Sequence, residues 1–348
     1  MQKRPLYVKI STYTNYSDKA YNLNMQKTLS FVNLRAIRHN ALRVRTVLKD
    51  KFFYAVVKAD AYGHGAEETA RYIEDIVDGF CVAIIEEGIA LRVAGITKPV
   101  LVFAPPFDSN DVARADFYSL TLTVNSVETA RLVGRLKCHI KVNTGMNRIG
   151  VSLSDLPDVL AILSAEQIEG VYSHMYAPHD AAASIKQLSL FERAEELVRA
   201  KQSNVCAHLA SSGGLLRGGK YLKDGVRCGI LLYGYAPQGF KRTGFVPALS
   251  VYAKRVQKTR FIGGGVGYNI ADKNYKTLTT FRLGYADGFF RTVPLGEKTL
   301  CMDAFIREDG GELACVMKDA DEYARRCGTI SYEVLTSVTQ RSEKVYIR

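Results

Sequence analysis

FFYAVVKADAYGHG, residues 52–65, is the stretch on which the fold turns. Phe52 to Val57 form an apolar run of strand length, and the run ends on a single lysine, Lys58. Ala61, Gly63 and Gly65 then open a loop, after which GAEETARYIEDIV takes up helical spacing. A lysine held at the end of a buried strand is well placed for Schiff-base chemistry. A lone lysine after a strand is more often an exposed surface residue, so its surroundings have to decide.

Working outward, the same strand-then-helix unit recurs. Strand-like runs are FFYAVV, GFCVAII, PVLVFA, LTLTV, HIKVN, GVYSH, NVCAHL and CGILLYG, with helix-period segments at 65–77, 126–136, 153–166 and 184–201 between them. Eight such units over about 190 residues predict a TIM barrel, an α/β fold of parallel strands. After Pro247 the pattern changes to short alternating segments broken by glycines, such as SVYAKRVQKTRFI and EKTLCMDAFI, which read as an all-β domain. The expected organisation is an N-terminal extension over 1–27, a barrel over 28–245 and a β domain over 246–348.

Bulk composition narrows the function classes. The 348 residues are 47% hydrophobic, enough for one large barrel and a smaller domain. No apolar stretch approaches the ~18 residues of a membrane span, and residues 1–26 hold no run of secretory length. Seven cysteines, odd in number and scattered, suggest reduced thiols in a cytoplasmic protein rather than a disulfide framework or a metal site. The net charge of +12 is spread along the chain with no basic helix or nucleic-acid motif, so it reads as solubility and attraction for small anions.

A barrel enzyme carries its chemistry at the carboxyl ends of its strands, and the unusual polar residues fall there. KVNTGMNRIG (141–150) offers Lys141, Asn143 and Arg148, and GVYSHM ends on His174 before Met175. AHLASSGG brings Ser211 and Ser212, and VRCGILLYG brings Arg227 with the Gly229 and Ile230 backbone. A histidine such as His174 on its own is more often a satisfied core residue; the placement of all these groups at strand ends is what counts.

These motifs resemble those of the alanine racemases. VKADAYGHG (57–65) is that family's pyridoxal-phosphate (PLP) lysine motif letter for letter. KVNTGMNRIG is similar to KVDTGMGRLG and VRCGILLYG to VRPGILLYG, and GVGYN (265–269), GYADGFFR (284–291), CMD (301–303), GTISYEVL (328–335) and the closing VYIR also match. The resemblance runs from about residue 28 to the end. It implies a barrel with PLP at its carboxyl-terminal face, strand 28–33 packing in the C-terminal domain, and removal and return of an α proton by two bases on opposite faces. Lys58 would bind PLP and serve the D-enantiomer, and Tyr268 would serve the L-enantiomer. Free phenol and amine titrate near ~10 and ~10.4, so the site must shift both.

The resemblance further implies that His174 and Arg227 form a relay to Tyr268, with Arg227 also facing the pyridine nitrogen. Tyr62, Ser212, the amides of Gly229 and Ile230, and Tyr346 would bind the phosphate. Arg148 would contact the cofactor's phenolic oxygen and the substrate carboxylate, oriented by Lys141, a candidate for carbamylation. Met302, Tyr285 and Asp303, with Tyr268, would reach the site of a second subunit in a homodimer. Tyr285 and Arg291 would line the entrance, and Tyr346 with Tyr268 would narrow the pocket to a small amino acid such as alanine.

Several positions depart from the family pattern: Asn143 for an aspartate, Asn147 for a glycine, Cys228 for a proline, Ser211 for an asparagine, and HMYAPHD (174–180) for HFATAD. A racemase of serine or a basic amino acid is the alternative reading. A decarboxylase is opposed by Arg227 and Tyr268, and a non-enzymatic PLP carrier of the single-barrel kind would lack the C-terminal domain.

Overall fold

The computed structural model describes the backbone of residues 6–8 and all of residues 28–348. Tyr13, Tyr16 and Tyr21 of the expected extension lie outside the described residues. The chain divides into two compact units, one of residues 38–61 and 66–246, the other of residues 62–65 and 247–348 with the described residues up to 37. The second contains the strands β1 (Leu6–Val8) and β2 (Leu29–Asn33).

The first unit holds eight parallel strands: β3 (Phe52–Val56), β4 (Gly79–Val82), β5 (Val100–Val102), β6 (Leu122–Val124), β7 (Cys138–Lys141), β8 (Ile168–Tyr172), β9 (Cys206–His208) and β10 (Gly225–Cys228). They pair in the cyclic order of a TIM barrel. Two seams close it: Val102 N–H donates to Thr121 O (2.9 Å) between β5 and β6, and Arg227 N–H donates to Ala210 O (3.0 Å) between β9 and β10. Parallel strands covered on both faces must be apolar throughout, and nearly every strand residue is buried.

The interior departs from the aliphatic filling usual in such barrels. Tyr54, Tyr172, His139 and His208 meet there: Tyr172 stacks on His208 at 5.0 Å with an interplanar angle of 3°, and Tyr54 lies 5.3 Å from the same ring. Aromatic and imidazole groups pack like hydrophobes while keeping polar edges for hydrogen bonds.

The eighth strand is Gly225–Cys228 and not CGILLYG, whose Ile230–Tyr233 form a 3₁₀ turn. Gly229 leaves the strand at φ −117°, ψ −90°, Gly234 ends the turn in the left-handed region, and the buried Asn40 side chain donates to Leu232 O (2.9 Å). An apolar run buried on all sides carries no period, which is why strand and turn look alike in sequence. Similarly, GFCVAII yields strand only to Val82, and Ile85 starts the helix Ile85–Val93.

In the other unit, β11 (Leu249–Arg260) is the central strand, pairing antiparallel with β2, with β14 (Thr277–Arg282) and with β16 (Leu313–Met317). A short hairpin of β12 (Gly265–Val266) and β13 (Asn269–Ile270) precedes β14; β15 (Phe305–Glu308) lies beyond it, and β17 (Glu343–Ile347) runs parallel to β1 and β2. Leu29, Phe31, Tyr252, Val345 and Ile347 form its core. EKTLCMDAFI contributes strand only from Phe305. The unit is mostly β rather than all β, because the helices Ala320–Cys327 and Ser331–Ser337 belong to it. The first is plainly encoded: Asp319 caps it by accepting from Asp321 N–H (2.9 Å), arginines fill its last turn, and Gly328 ends it at φ +68°.

Candidate active site

Lys58 follows β3 after one residue, Val57, and the chain then does something no sequence pattern announced. Ala59, Asp60, Ala61 and Tyr62 all take φ of +50° to +54°, a left-handed turn built without glycine. Each such residue costs about 1–2 kcal/mol, so the turn has to be held by its surroundings. Ala61 N–H donates to Val57 O (2.8 Å), Asp60 Oδ1 accepts Ala66 N–H (2.8 Å), and the Glu87 carboxylate accepts both Ala59 N–H (2.7 Å) and Ala83 N–H (2.6 Å). Glu87 was not singled out from sequence. It clamps the residue next to Lys58 and thereby fixes where that amine stands.

Around Lys58 the barrel gathers positive charge. Burial, and then the Arg148 guanidinium, lower the Lys58 pKa, partly opposed by Glu87. Burial, followed by the charges of Arg227, Arg148 and Lys58, lowers Lys141 from 10.5 to about 7, and its Nζ sits 4.6 Å above the Tyr172 ring. Burial and the same cations hold His174 well below the ordinary imidazole value, so it stays neutral.

The Arg227 guanidinium also lies near Tyr172, 5.0 Å from its ring. One terminal nitrogen donates to His208 Nδ1 (2.7 Å) and His208 O (2.5 Å); the other donates to Ser173 O (2.5 Å) and Leu209 O (3.2 Å). A guanidinium has five N–H donors; these four bonds leave Nε–H as the fifth. Arg227 is thus bonded to His208 and to the Ser173 backbone beside His174, and sequence reading missed His208. The signal was present: β9 places His208 on a strand whose alternate residues face inward, and in HIKVN the parity that points Lys141 inward does the same for His139.

Ser212 Oγ accepts Gly229 N–H (3.1 Å) and lies 3.6 Å from Cys228 Sγ. The Ser212 hydroxyl is therefore adjacent to the Gly229–Ile230 corner, with the Gly229 amide already donating to it. Cys228, where proline is typical, is buried and its thiol is pushed up to about 12, so it stays protonated.

The other departures make local sense. Asn143 Oδ1 accepts the amides of Gly145 and Asn147 (both 3.1 Å), while its Nδ2 donates to Asn147 Oδ1 (3.0 Å). Asn147 stands at φ +55°, a conformation asparagine tolerates better than most residues. The two asparagines replace an aspartate and a glycine as a pair. In HMYAPHD, Asp180 caps the helix Ala181–Lys201 by accepting Ala183 N–H (2.7 Å).

The second unit holds the remaining expected residues. Tyr62 and Tyr346 are both buried there, and Gly65, at φ +89°, is required because a Cβ would overlap the Tyr346 hydroxyl. Tyr268 sits in the two-residue loop of the β12–β13 hairpin, whose first position is Gly267 at φ +60°, and it is 84% exposed. Tyr285 N–H donates to Cys301 O (3.1 Å) and Ala286 N–H to Met302 O (2.9 Å), which brings the Tyr285 and Met302 segments together. Asp303 is engaged within its own chain, accepting from Arg341 (2.9 Å).

Comparison with known proteins follows the same lines. The family model described as alanine racemase, N-terminal domain, matches residues 32–237. The alanine racemase of Streptococcus equi subsp. equi is 31% identical over 364 aligned residues, covering 92% of this chain and 98% of that one. Among solved structures, the alanine racemase of Clostridium difficile superposes with a TM-score of 0.83 at 26% identity, covering 92% and 96% of the two chains. That of Bartonella henselae with covalently bound pyridoxal phosphate superposes at 0.78 and 25% identity, covering 93% and 100%. Matched along almost its whole length in sequence and in fold, the chain belongs to the alanine racemase family.

Proposed function

We propose that this chain is a PLP-dependent isomerase that interconverts L-alanine and D-alanine, supplying D-alanine for peptidoglycan from the cytoplasm. The observation that carries the reading is Lys58: an amine whose pKa is lowered by burial and by Arg148, clamped at a strand end by the left-handed turn and Glu87. Lowering an amine's pKa toward neutrality gives it the free lone pair that both covalent attachment and proton abstraction need.

The donor set fits the cofactor. Lys58 would hold it covalently, Ser212 with the Gly229 and Ile230 amides would take the phosphate along with Tyr62 and Tyr346, and the remaining Nε–H of Arg227 would face the ring nitrogen. PLP, when bound, supplies an electron sink that acidifies the α proton. Because Arg227 donates only, it would leave the ring nitrogen unprotonated and restrain the sink, which would favour returning the proton over transamination or decarboxylation.

Lys58 takes or returns the proton on one face and Tyr268 on the other. His174, held neutral by the surrounding cations, is an acceptor for the Tyr268 hydroxyl. Arg148 binds the substrate carboxylate. Lys141, with a large neutral fraction near pH 7, is suited to carbamylation, which would give Arg148 an anionic partner. The exposure of Tyr268 and Met302 on their own chain supports a homodimer in which these residues and Tyr285 serve the barrel of a second copy.

Racemisation of a panel of amino acids by the purified, PLP-loaded chain tests this reading. Alanine should lead, with serine slower by roughly 10- to 200-fold, the discrimination that a tight apolar pocket achieves for one substituent. A chain that binds no PLP, or that racemises serine, lysine or arginine faster than alanine, would overturn the assignment.

A further inference from the structure

Behind Arg227 lies a buried hydrogen-bonded chain whose proton positions follow from chemistry alone. Arg227 donates to His208 Nδ1 (2.7 Å), and His208 Nε2 meets His139 Nδ1 at 2.8 Å. A guanidinium cannot accept, so His208 Nδ1 must carry a lone pair. A neutral His208 then holds its proton on Nε2 and donates it to His139. His139 Nδ1 must therefore also carry a lone pair, which leaves the proton of His139 on Nε2. Either ring in the other tautomer, or as imidazolium, would set one N–H against another. Both rings are at most 2% exposed, and burial with the neighbouring Arg227 charge drives His139 down to about 3 and His208 well below the ordinary value.

The far end of this chain opens away from Lys58. His139 lines a cavity of ≈ 470 Å³ with Phe52, Tyr54, Thr121, Glu169 and Cys206, at the amino-terminal starts of the strands. The ring that carries the last N–H of the chain thus borders a cavity at the opposite face of the barrel from Lys58.

We propose that His139 is a positioning residue for Arg227, acting through His208: by accepting the His208 Nε2–H it locks the tautomer that keeps a lone pair on the guanidinium. Three groups in series hold the plane of Arg227, and with it the direction of the one N–H left for the cofactor ring. The link to catalysis rests on the proposed PLP reading, whereas the proton positions do not.

The test uses the PLP-loaded protein with nitrogen-15-labelled histidine. The chain has six histidines, so tautomers can be assigned from the loss of signals in His139→Asn and His208→Asn. At neutral pH both rings should be neutral and protonated on Nε2. His139→Leu removes the acceptor; the His208 signals should move toward mixed tautomers, and kcat for alanine should fall by about 10- to 100-fold with KM nearly unchanged, the range seen when an outer orienting partner is lost. His139→Asn, whose amide oxygen can stand where Nδ1 stood, should restore the His208 signals and most of kcat. An Nδ1-protonated or imidazolium ring in the wild type overturns the proposal, as does a folded His139→Leu variant with an unchanged His208 spectrum. If His139→Leu does not fold, the wild-type tautomers alone decide. If the wild type shows the expected tautomers but racemises nothing, the functional reading fails and the histidine chain stands.

Discussion

Lys141 offers the sharpest quantitative prediction. Its pKa falls from 10.5 to about 7, mainly through burial and then through Arg227, Arg148 and Lys58, and the side chain is only 5% exposed. At 1.36 kcal/mol per pH unit, holding the charged form in the folded state costs ~5 kcal/mol. Between pH 7 and 10.5 the unfolded chain keeps a proton on this amine that the folded chain has released. Stability therefore rises with pH across that window. The cost is fully present below pH 7, and roughly 2 kcal/mol of it is relieved between pH 7 and pH 9. Urea unfolding of wild type and Lys141→Met over this range isolates the effect, since methionine keeps the stem without the charge. The methionine variant should be the more stable at pH 6, and its advantage should shrink by roughly 2 kcal/mol between pH 7 and pH 9. Added bicarbonate should stabilise wild type alone, because only an amine can be carbamylated. An advantage that is constant with pH, or a methionine variant less stable at pH 6, would refute the reasoning.

The clamp on the Lys58 turn should be measurable as well. Glu87→Ala strands two backbone amides beside a strained turn and should cost about 2–3 kcal/mol in denaturant unfolding, with Glu87→Gln losing about half that because its oxygen still accepts; a loss below ~0.5 kcal/mol would show that the turn holds itself. At the Asn143–Asn147 pair, Asn147→Ala should lower stability by about 1–2 kcal/mol from its left-handed φ and the lost side-chain bond, whereas Asn147→Gly should be milder. Equal effects of the two would mean that φ +55° carries no cost.

Much of the architecture was legible in sequence because it rests on period and spacing. Eight apolar runs with intervening helices gave the barrel, and the helix caps at Asp108, Ser126, Asp180 and Asp319 are of the residue types that mark helix starts. Reading failed where burial is uniform: Ile230–Tyr233 is apolar on every side, and neither strand nor turn imposes a pattern on it. It failed again where structure depends on distant partners. Nothing within KADAY announces a left-handed turn, because the carboxylate that holds it comes from Glu87, twenty-eight residues on from Ala59.

The site was legible to the extent that it lay in local motifs. Lys58, Lys141, His174 and Arg227 stand within two residues of barrel strand ends, and Ser212 begins the helix after β9. Strand parity marks His139 and His208 as inward-facing, but their roles arise from pairing across three strands, β7, β9 and β10, which no local spacing records. In sequence the Asn143 and Asn147 departures stand as two separate differences, and only their mutual hydrogen bond shows them to be one exchange.

The central claim is that two bases, Lys58 and Tyr268, work on opposite faces of one substrate. Its most direct test is exchange of the α proton in deuterated water with the PLP-loaded Tyr268→Phe variant, starting separately from each enantiomer. Loss of the phenol should block exchange from L-alanine far more than from D-alanine, since Lys58 still serves its own face. Equal losses from both enantiomers would contradict the two-base account.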